Sequence, residues 1–310
     1  MSTPTNNFYS RILGKLLGDG SIVKQEGRKP RFKFQHRIED VGWTSYCYEQ
    51  LKDDIPLNKP AYRKNTDSRL KKGYSELYYV QSKTAPLITG LYELWYPNGL
   101  KTLPFEFIEC FLNVEALSWW YQDDGHLKIS NDKMQKIILS TDSFTKTENV
   151  FLQSLLYHKW QLSFKLDQQN RLILYDQFQI IYFLHLVEPW LQPCMKRKAP
   201  IVLPLRPIAN RTTIYLPETI QLTSPTKEIH EALKHLHLLF KNKQSQSICY
   251  KSLFNTLQPI LESTTPTKSY QINIREPYKT DLAYLRQQTG ATVSELVEWC
   301  FDDNRSSSGF

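Results

Sequence analysis

The stretch RILGKLLGDG at residues 11–20 decides the fold: an apolar helical run closes on one acid, Asp19, held between Gly18 and Gly20. A second stretch, ALSWWYQDDG at 116–125, closes in the same way on Asp124-Gly125, 105 residues further along (19 to 124). A helix's C-terminal end carries partial negative charge, so an acid placed there is opposed by about 0.3–1 kcal/mol. Local structure therefore disfavours both acids, although each following glycine reads simply as the left-handed residue that stops a helix. If the two helices pack side by side, their ends bring Asp19 and Asp124 together. Two carboxylates that close repel each other unless cations neutralise them, and hard oxygen ligands suit Mg²⁺. A divalent ion shared by carboxylates and phosphate oxygens is what hydrolysis of a phosphodiester needs.

Outward from these two stretches, the first 204 residues carry one pattern twice. After Asp19-Gly20 come strands near 31–36 (RFKFQH) and 74–81, with helices near 39–53 and 84–96. After Asp124-Gly125 come strands at 135–141, 161–166 and 171–175, with helices near 145–158 and 177–191. This is an α+β unit used twice. Pro200, Pro204 and Pro207 then prevent any helix from continuing and mark a linker. Beyond it the order strand-helix-helix occurs twice: a strand at 211–220 with helices near 225–241 and 247–261, then a strand at 270–275 with helices near 277–288 and 292–303. The resulting division is 1–100, 101–204, a linker at 205–210, an extension at 211–303 and a disordered tail at 304–310.

Composition narrows the function. Lys and Arg outnumber Asp and Glu 39 to 31, for a net charge of +8, which favours a polyanionic partner. The five cysteines lie far apart, without metal-finger spacing, as reduced intracellular thiols do. The N-terminus lacks a basic segment followed by an apolar one, and no apolar run reaches the roughly eighteen residues of a membrane span. The expectation is a non-secreted, intracellular protein without a membrane segment, organellar if an organelle genome encodes it.

LLGDG and LSWWYQDDG, followed by KTLP at 101–104, IILSTDSFT at 137–145 and LQPCMKRKAP at 191–200, resemble the LAGLIDADG homing endonucleases, in particular the monomeric class with two motifs. The resemblance covers about residues 8–204. It implies two pseudo-symmetric αββαββα halves whose sheets form a saddle along the major groove of double-stranded DNA. It also implies Mg²⁺-dependent (or Mn²⁺-dependent) cleavage of both strands at a long target site. Within the motifs, the metal-binding acids fall on Asp19 and Asp124, with backbone carbonyls of Gly18 and Asp123 as further ligands. One lysine per half lies near the reactive phosphates, by local match Lys101 and Lys198. Gln35 matches the residue that positions water, with Ser140 as its counterpart in the second half. One departure is that Trp119 and Trp120 stand where the first motif has Gly14 and Lys15, and side chains of that bulk could splay the helices. A splicing maturase or transcription regulator of the same fold is the alternative, and it does not need both acids.

Candidate DNA contacts follow from residue type. Arg31, Lys33 and Gln35 alternate with Phe32 and Phe34 along one strand, giving a sheet one wet face with groups suited to guanine, phosphate and adenine. Arg63, Lys64, Arg69, Lys71 and Lys72 form a basic cluster expected in one loop, as backbone contacts or as a solvated charge run. The last strand-helix-helix resembles a ribbon-helix-helix unit, for which the strand starting at Thr212 could supply the antiparallel partner. On that ribbon Gln271, Asn273 and Arg275 would face DNA, opposite Ile272 and Ile274. A helical stabilising cap is the other reading of the extension.

Overall fold

The computed structural model describes residues 6–131, 133–200, 205–244, 254–255, 257–260 and 262–307. The first half runs α1 (Asn6–Leu17), β1 (Ser21–Val23), β2 (Arg31–Arg37), α2 (Val41–Leu51), β3 (Ala61–Thr66), β4 (Tyr74–Gln81) and α3 (Pro86–Trp95). A short helix, α4 (Phe105–Phe111), precedes the second half. That half runs α5 (Val114–Asp124), β5 (Gly125–Ser130), β6 (Lys133–Leu139), α6 (Lys146–Trp160), β7 (Lys165–Leu166), β8 (Leu172–Leu174) and α7 (Gln177–Val187). The two four-stranded sheets have equivalent orders, β1-β2-β4-β3 and β5-β6-β8-β7. The αββαββα duplication and the α+β class expected from sequence are both present.

Local sequence accounts for the elements that place the site. Strand β2 alternates strictly, with Phe32, Phe34 and His36 buried and Arg31, Lys33, Gln35 and Arg37 exposed. The Asn113 side chain caps α5 by accepting from the Ala116 N–H at 2.9 Å. Thr145 and Glu148 cap α6 reciprocally. Three expectations need correction. Arg63 and Lys64 lie on strand β3 rather than in a loop, while Arg69, Lys71 and Lys72 occupy the turn before β4. Short strands β1 and β5 follow the two motifs directly. Gly125 has φ −83°, and Gly20 is not among the described glycines with positive φ, so neither motif glycine is a left-handed cap. Close approach explains them instead: an added Cβ would lie 2.5 Å from the Lys15 carbonyl oxygen at Gly20 and 2.4 Å from that of Tyr121 at Gly125.

The chain divides into two compact units, one of Met1–Lys128, Lys136–Leu174 and Val187–Ala199, the other of Ile129–Gln135, Tyr175–Leu186 and Pro200–Phe310. The second unit contains strands β9 (Arg211–Pro217) and β10 (Thr267–Asn273), paired antiparallel with Thr213 opposite Gln271 and Arg211 opposite Asn273. Its helices are α8 (Pro225–Ala232), α9 (Glu276–Thr289) and α10 (Val293–Ser307), with 3-10 geometry from Leu233 to Gln244. On this ribbon Ile214, Leu216, Tyr270 and Ile272 are buried, and Arg211, Thr213, Tyr215, Gln271 and Asn273 are exposed. Arg275 falls just past the strand, as the residue that precedes α9. The helix expected at 247–261 lies largely outside the described residues; those described there, 254–255 and 257–260, are helical. At the far end α10 continues to Ser307, where a tail without structure was expected from 304; residues 308–310 lie outside the described set.

Candidate active site

Helices α1 and α5 run side by side in the same direction. Arg11 pairs with Glu115 at 2.6 Å near their beginnings, Gly14 meets Trp119 midway, and Gly18 meets Asp123 at their ends. A Cβ at Gly14 would come within 2.5 Å of the Trp119 Cβ, so the tryptophan packs against bare backbone and does not splay the helices. Two helix C-termini thus converge, and their partial negative charges add to those of the motif acids.

The acid preceding the second motif acid has a distinct environment. The Asp123 side chain is 0% exposed and accepts from Lys15 Nζ at 2.8 Å, Trp43 Nε1 at 2.7 Å and the Asp19 backbone N–H at 3.1 Å. Lys15 is equally buried and donates to His36 Nε2 at 2.9 Å. His36 Nδ1 meets Thr44 Oγ1 at 2.8 Å, and that hydroxyl donates to the Asp40 carbonyl. This chain assigns the His36 proton to Nδ1 and leaves Nε2 to accept. Burial, reinforced by the Lys15 charge, lowers the His36 pKa to about 4, so the ring is neutral at pH 7. Burial alone would raise Asp123, but Lys15 and His36 outweigh it and hold the acid well below the usual carboxylate range. Burial likewise disfavours the Lys15 ammonium, and Asp123 more than restores it. Neither Lys15 nor His36 was singled out from sequence. The available signal was a lysine inside an apolar helix and a histidine in phase with Phe32 and Phe34 on β2.

Asp19 and Asp124 stand in contrast. Burial, followed by the charge of Asp123, raises Asp19 to about 7 and Asp124 to about 6. The Asp19 side chain remains 37% exposed. Both acids line a cavity of about 620 Å³ with Gln35, Arg197 and Lys198. Carboxylates raised this far are short of positive charge, and a divalent cation with hard oxygen ligands fits that deficit. Asp19, His36 and Asp123 also bring ligand atoms within 4.8 Å of one another. There, however, the Lys15 ammonium already bonds both His36 and Asp123, so the cation of that cluster is the protein's own.

The two lysines named from sequence reach the same helix ends. Lys198, in a 3-10 turn (Pro193–Lys198), donates to the carbonyls of Tyr121, Gln122 and Asp123 at 2.9, 2.6 and 3.1 Å. It therefore caps α5 and already occupies the Asp123 carbonyl. Lys101 approaches the Gly20 carbonyl at 3.5 Å. Burial lowers both lysines to about 8, against the pull of nearby aspartates. Ser140 donates its backbone N–H to the Asp124 carbonyl at 3.1 Å.

Beside the acids, one face of the first sheet gathers Lys33, Gln35, Arg63, Tyr79 and Gln81 around a further cavity of about 240 Å³ that Asp19 also lines. Arg31 is exposed on the same side of β2. Arg63 lies over the Tyr79 ring at 4.2 Å. Lys64 points to the opposite face and covers Tyr74 at 3.7 Å, while Arg69 is bound to Asp67 at 2.9 Å. In the second half, His126 and Lys128 on β5 and Lys133 and Gln135 on β6 are exposed in the same alternating manner. Sequence reasoning passed over His126 and Lys128 because β5 is too polar to announce itself, and over Lys133 because the next strand was expected to begin at 135; Gln135, within that strand, was not singled out.

Comparison with known proteins agrees with this architecture. An uncharacterized protein of Methanocaldococcus jannaschii is 29% identical over 200 residues, covering 60% of this chain and 71% of its own. DNA endonuclease I-ChuI of Chlamydomonas applanata is 25% identical over 60% of this chain and 91% of its own. Cytochrome b mRNA maturase bI2 of Debaryomyces hansenii is 29% identical over 60% and 71%. The homing endonuclease I-WcaI, solved bound to its DNA recognition sequence, shares the fold with a TM-score of 0.56 at 20% identity, over 64% of this chain and 88% of that one. No described helix is long and apolar enough to cross a membrane. The model of the LAGLIDADG DNA endonuclease family matches residues 9–184, more than half of the chain, and the protein belongs to that family.

Proposed function

We propose that this chain is a site-specific homing endonuclease that hydrolyses both strands of duplex DNA with Mg²⁺ or Mn²⁺, and that it acts as a monomer because one chain supplies both halves. The observation that carries this reading is the pair of raised acids, Asp19 and Asp124, at two converging helix ends beside a basic sheet face. Asp19 and Asp124 would hold the metal, with the Gly18 carbonyl as a further ligand. The Asp123 carbonyl takes a lesser part, since Lys198 already bonds it. A bound divalent ion supplies charge neutralisation at the phosphoryl oxygens and a lower pKa for attacking water. Gln35 holds a water by its amide, with Ser140 beside Asp124 in the second half. Lys101 and Lys198 set positive charge near the scissile phosphates, and Lys198 also fixes the end of α5.

Arg31, Lys33, Gln35 and Arg63 are the residues we assign to the groove. Lys71 and Lys72, in the turn before β4, are assigned to the DNA backbone; Lys64, on the opposite face of the sheet, and Arg69, paired with Asp67, are not. The β9–β10 ribbon is read as a single-chain ribbon-helix-helix module, whose Gln271 and Asn273, with Arg275 at the strand's end, touch base pairs flanking the cut. A cytoplasmic or other intracellular setting, organellar if an organelle genome encodes the chain, fits this role. The second reading, a maturase that binds nucleic acid without cutting it, is favoured by the likeness to maturase bI2.

Sequencing the products cut from a randomised duplex library in Mg²⁺ separates the two. Asp19→Asn and Asp124→Asn should each lower single-turnover cleavage by about three orders of magnitude or more, the equivalent of several kcal/mol of lost metal stabilisation, while duplex binding persists. Wild-type cutting by either variant would overturn the assignment. No cleavage by the wild-type chain, with binding retained, would favour the maturase.

A further inference from the structure

Within the second unit, a cavity of about 350 Å³ lies where the β5–β6 hairpin meets the C-terminal extension. Its wall includes three cations from three separate segments: Lys133 from the first position of β6, Arg206 from the linker and Arg286 from α9. No acid lines it. Among the described residues none of the three cations is in an ion pair. Their few bonds go to backbone: Arg206 donates to the Asn131 carbonyl at 3.3 Å, and Arg286 to the Arg206 carbonyl at 3.4 Å. These two bonds tie hairpin, linker and α9 into one corner. The first turn of α10 also reaches the cavity, but Thr292 and Glu295 cap each other there, so the cations give the site its character.

Three like charges held around one opening repel one another, and among the described residues no acid pairs with them. A partner of opposite sign compensates them. Lys133 also begins β6 as Arg31 begins β2, and Lys133 and Gln135 occupy the exposed phase of that strand. The cavity therefore continues the exposed polar edge of β6, the strand equivalent in sheet order to β2, whose residues are assigned to the groove.

We propose that this corner grips the sugar-phosphate backbone of duplex DNA on the flank served by the β5–β6 hairpin, so that the extension adds non-specific affinity on that side in addition to any base reading by the ribbon. The inference rests on the endonuclease reading only for its ligand, duplex DNA, and not on the cleavage chemistry.

The test is a salt titration of binding to a random-sequence duplex of about 40 base pairs, which needs no knowledge of the target. Each cation that neutralises a phosphate contributes about 0.9 to the slope of log affinity against log salt. The full chain with Lys133→Gln, Arg206→Gln and Arg286→Gln should lose about 3 units of slope, and Lys133→Gln alone about 1, a change that leaves both backbone ties in place. Arg206→Lys with Arg286→Lys keeps the charge and should keep the wild-type slope. Lys227→Gln, a change on α8, should leave it unchanged. A wild-type slope in the triple variant, or an equal loss on changing Lys227, would overturn the proposal and leave the endonuclease reading intact. No binding of any duplex by the wild-type chain would end both.

Discussion

The two motif ends carry the same acid and differ in the residue before it. In the first half that residue is Gly18, and in the second it is Asp123. An added Cβ at Gly18 would sit 2.4 Å from the Cβ of Asp123, so one half leaves out a side chain where the other needs the room. The charge is divided in the same way. The second half buries an anion, and the first supplies Lys15 to meet it, with neutral His36 accepting from that ammonium. Symmetry is therefore kept in the backbone, with its repeated sheet order, and abandoned among the buried polar groups. What is shared between the halves is the order of the sheets; what differs is the part that joins one half to the other.

The most severe way to break this division is to remove one member of the buried pair. Lys15→Met leaves the Asp123 carboxylate enclosed without a cation, a change that typically costs about 3–5 kcal/mol. Urea unfolding should show it, and Asp123→Asn in the same chain should recover part of the loss, because the amide oxygen still accepts from Trp43. No recovery would mean that Lys15 acts by its bulk and not by its charge. A smaller effect is expected at the contact itself. Gly18→Ala forces atoms into occupied space and should cost about 1–3 kcal/mol by the same measurement. A neutral Gly18→Ala would show that the two helix ends can separate without penalty.

The smallest effect sharpens the contrast between the raised acids and the depressed one. Asp19 and Asp124, at about 7 and about 6, hold protons in the folded chain at pH values where the unfolded chain, near 3.8, has lost them. The unfolded state then binds fewer protons, so without metal their contribution makes stability fall as pH rises from about 4 to 7. Asp123, depressed by Lys15 and His36, works the other way only in strong acid. Mg²⁺ or Mn²⁺ should accordingly raise Tm at pH 8 and have little effect at pH 5, where both sites are largely protonated. An equal gain at both pH values would place the ion elsewhere.

The twin acids, the repeat and the alternation of β2 were legible because each is periodic or paired within a short window. The ribbon was legible too, since the buried Ile214, Tyr270 and Ile272 follow a period of two. Strands β1, β3 and β5 were not. β3, AYRKNT, has almost no buried residue and is a strand because β4 pairs with it, with Arg63 opposite Leu77 and Lys64 opposite Glu76. The roles of Gly20 and Gly125 were misread because a close approach to the preceding turn of the same helix and a left-handed stop both call for glycine. Lys15 and His36 are 21 residues apart and meet over Asp123, 108 residues from Lys15. Such a network belongs to the packed halves and is invisible in either stretch alone.

The buried pair also acts as a lock that accepts only one key. If the chain were severed between its halves and each fragment left to find a mate, two copies of the first would each present Lys15 to a glycine where the carboxylate belongs. Two copies of the second would confine Asp123 against Asp123 with no ammonium between them. Only the mixed assembly satisfies both sides, by a margin of the order of the about 3–5 kcal/mol that an unpaired buried charge costs. Joining the halves in one chain is thus a commitment: with the charges so divided, neither half can pair with a copy of itself and keep the contact between the Asp19 N–H and Asp123.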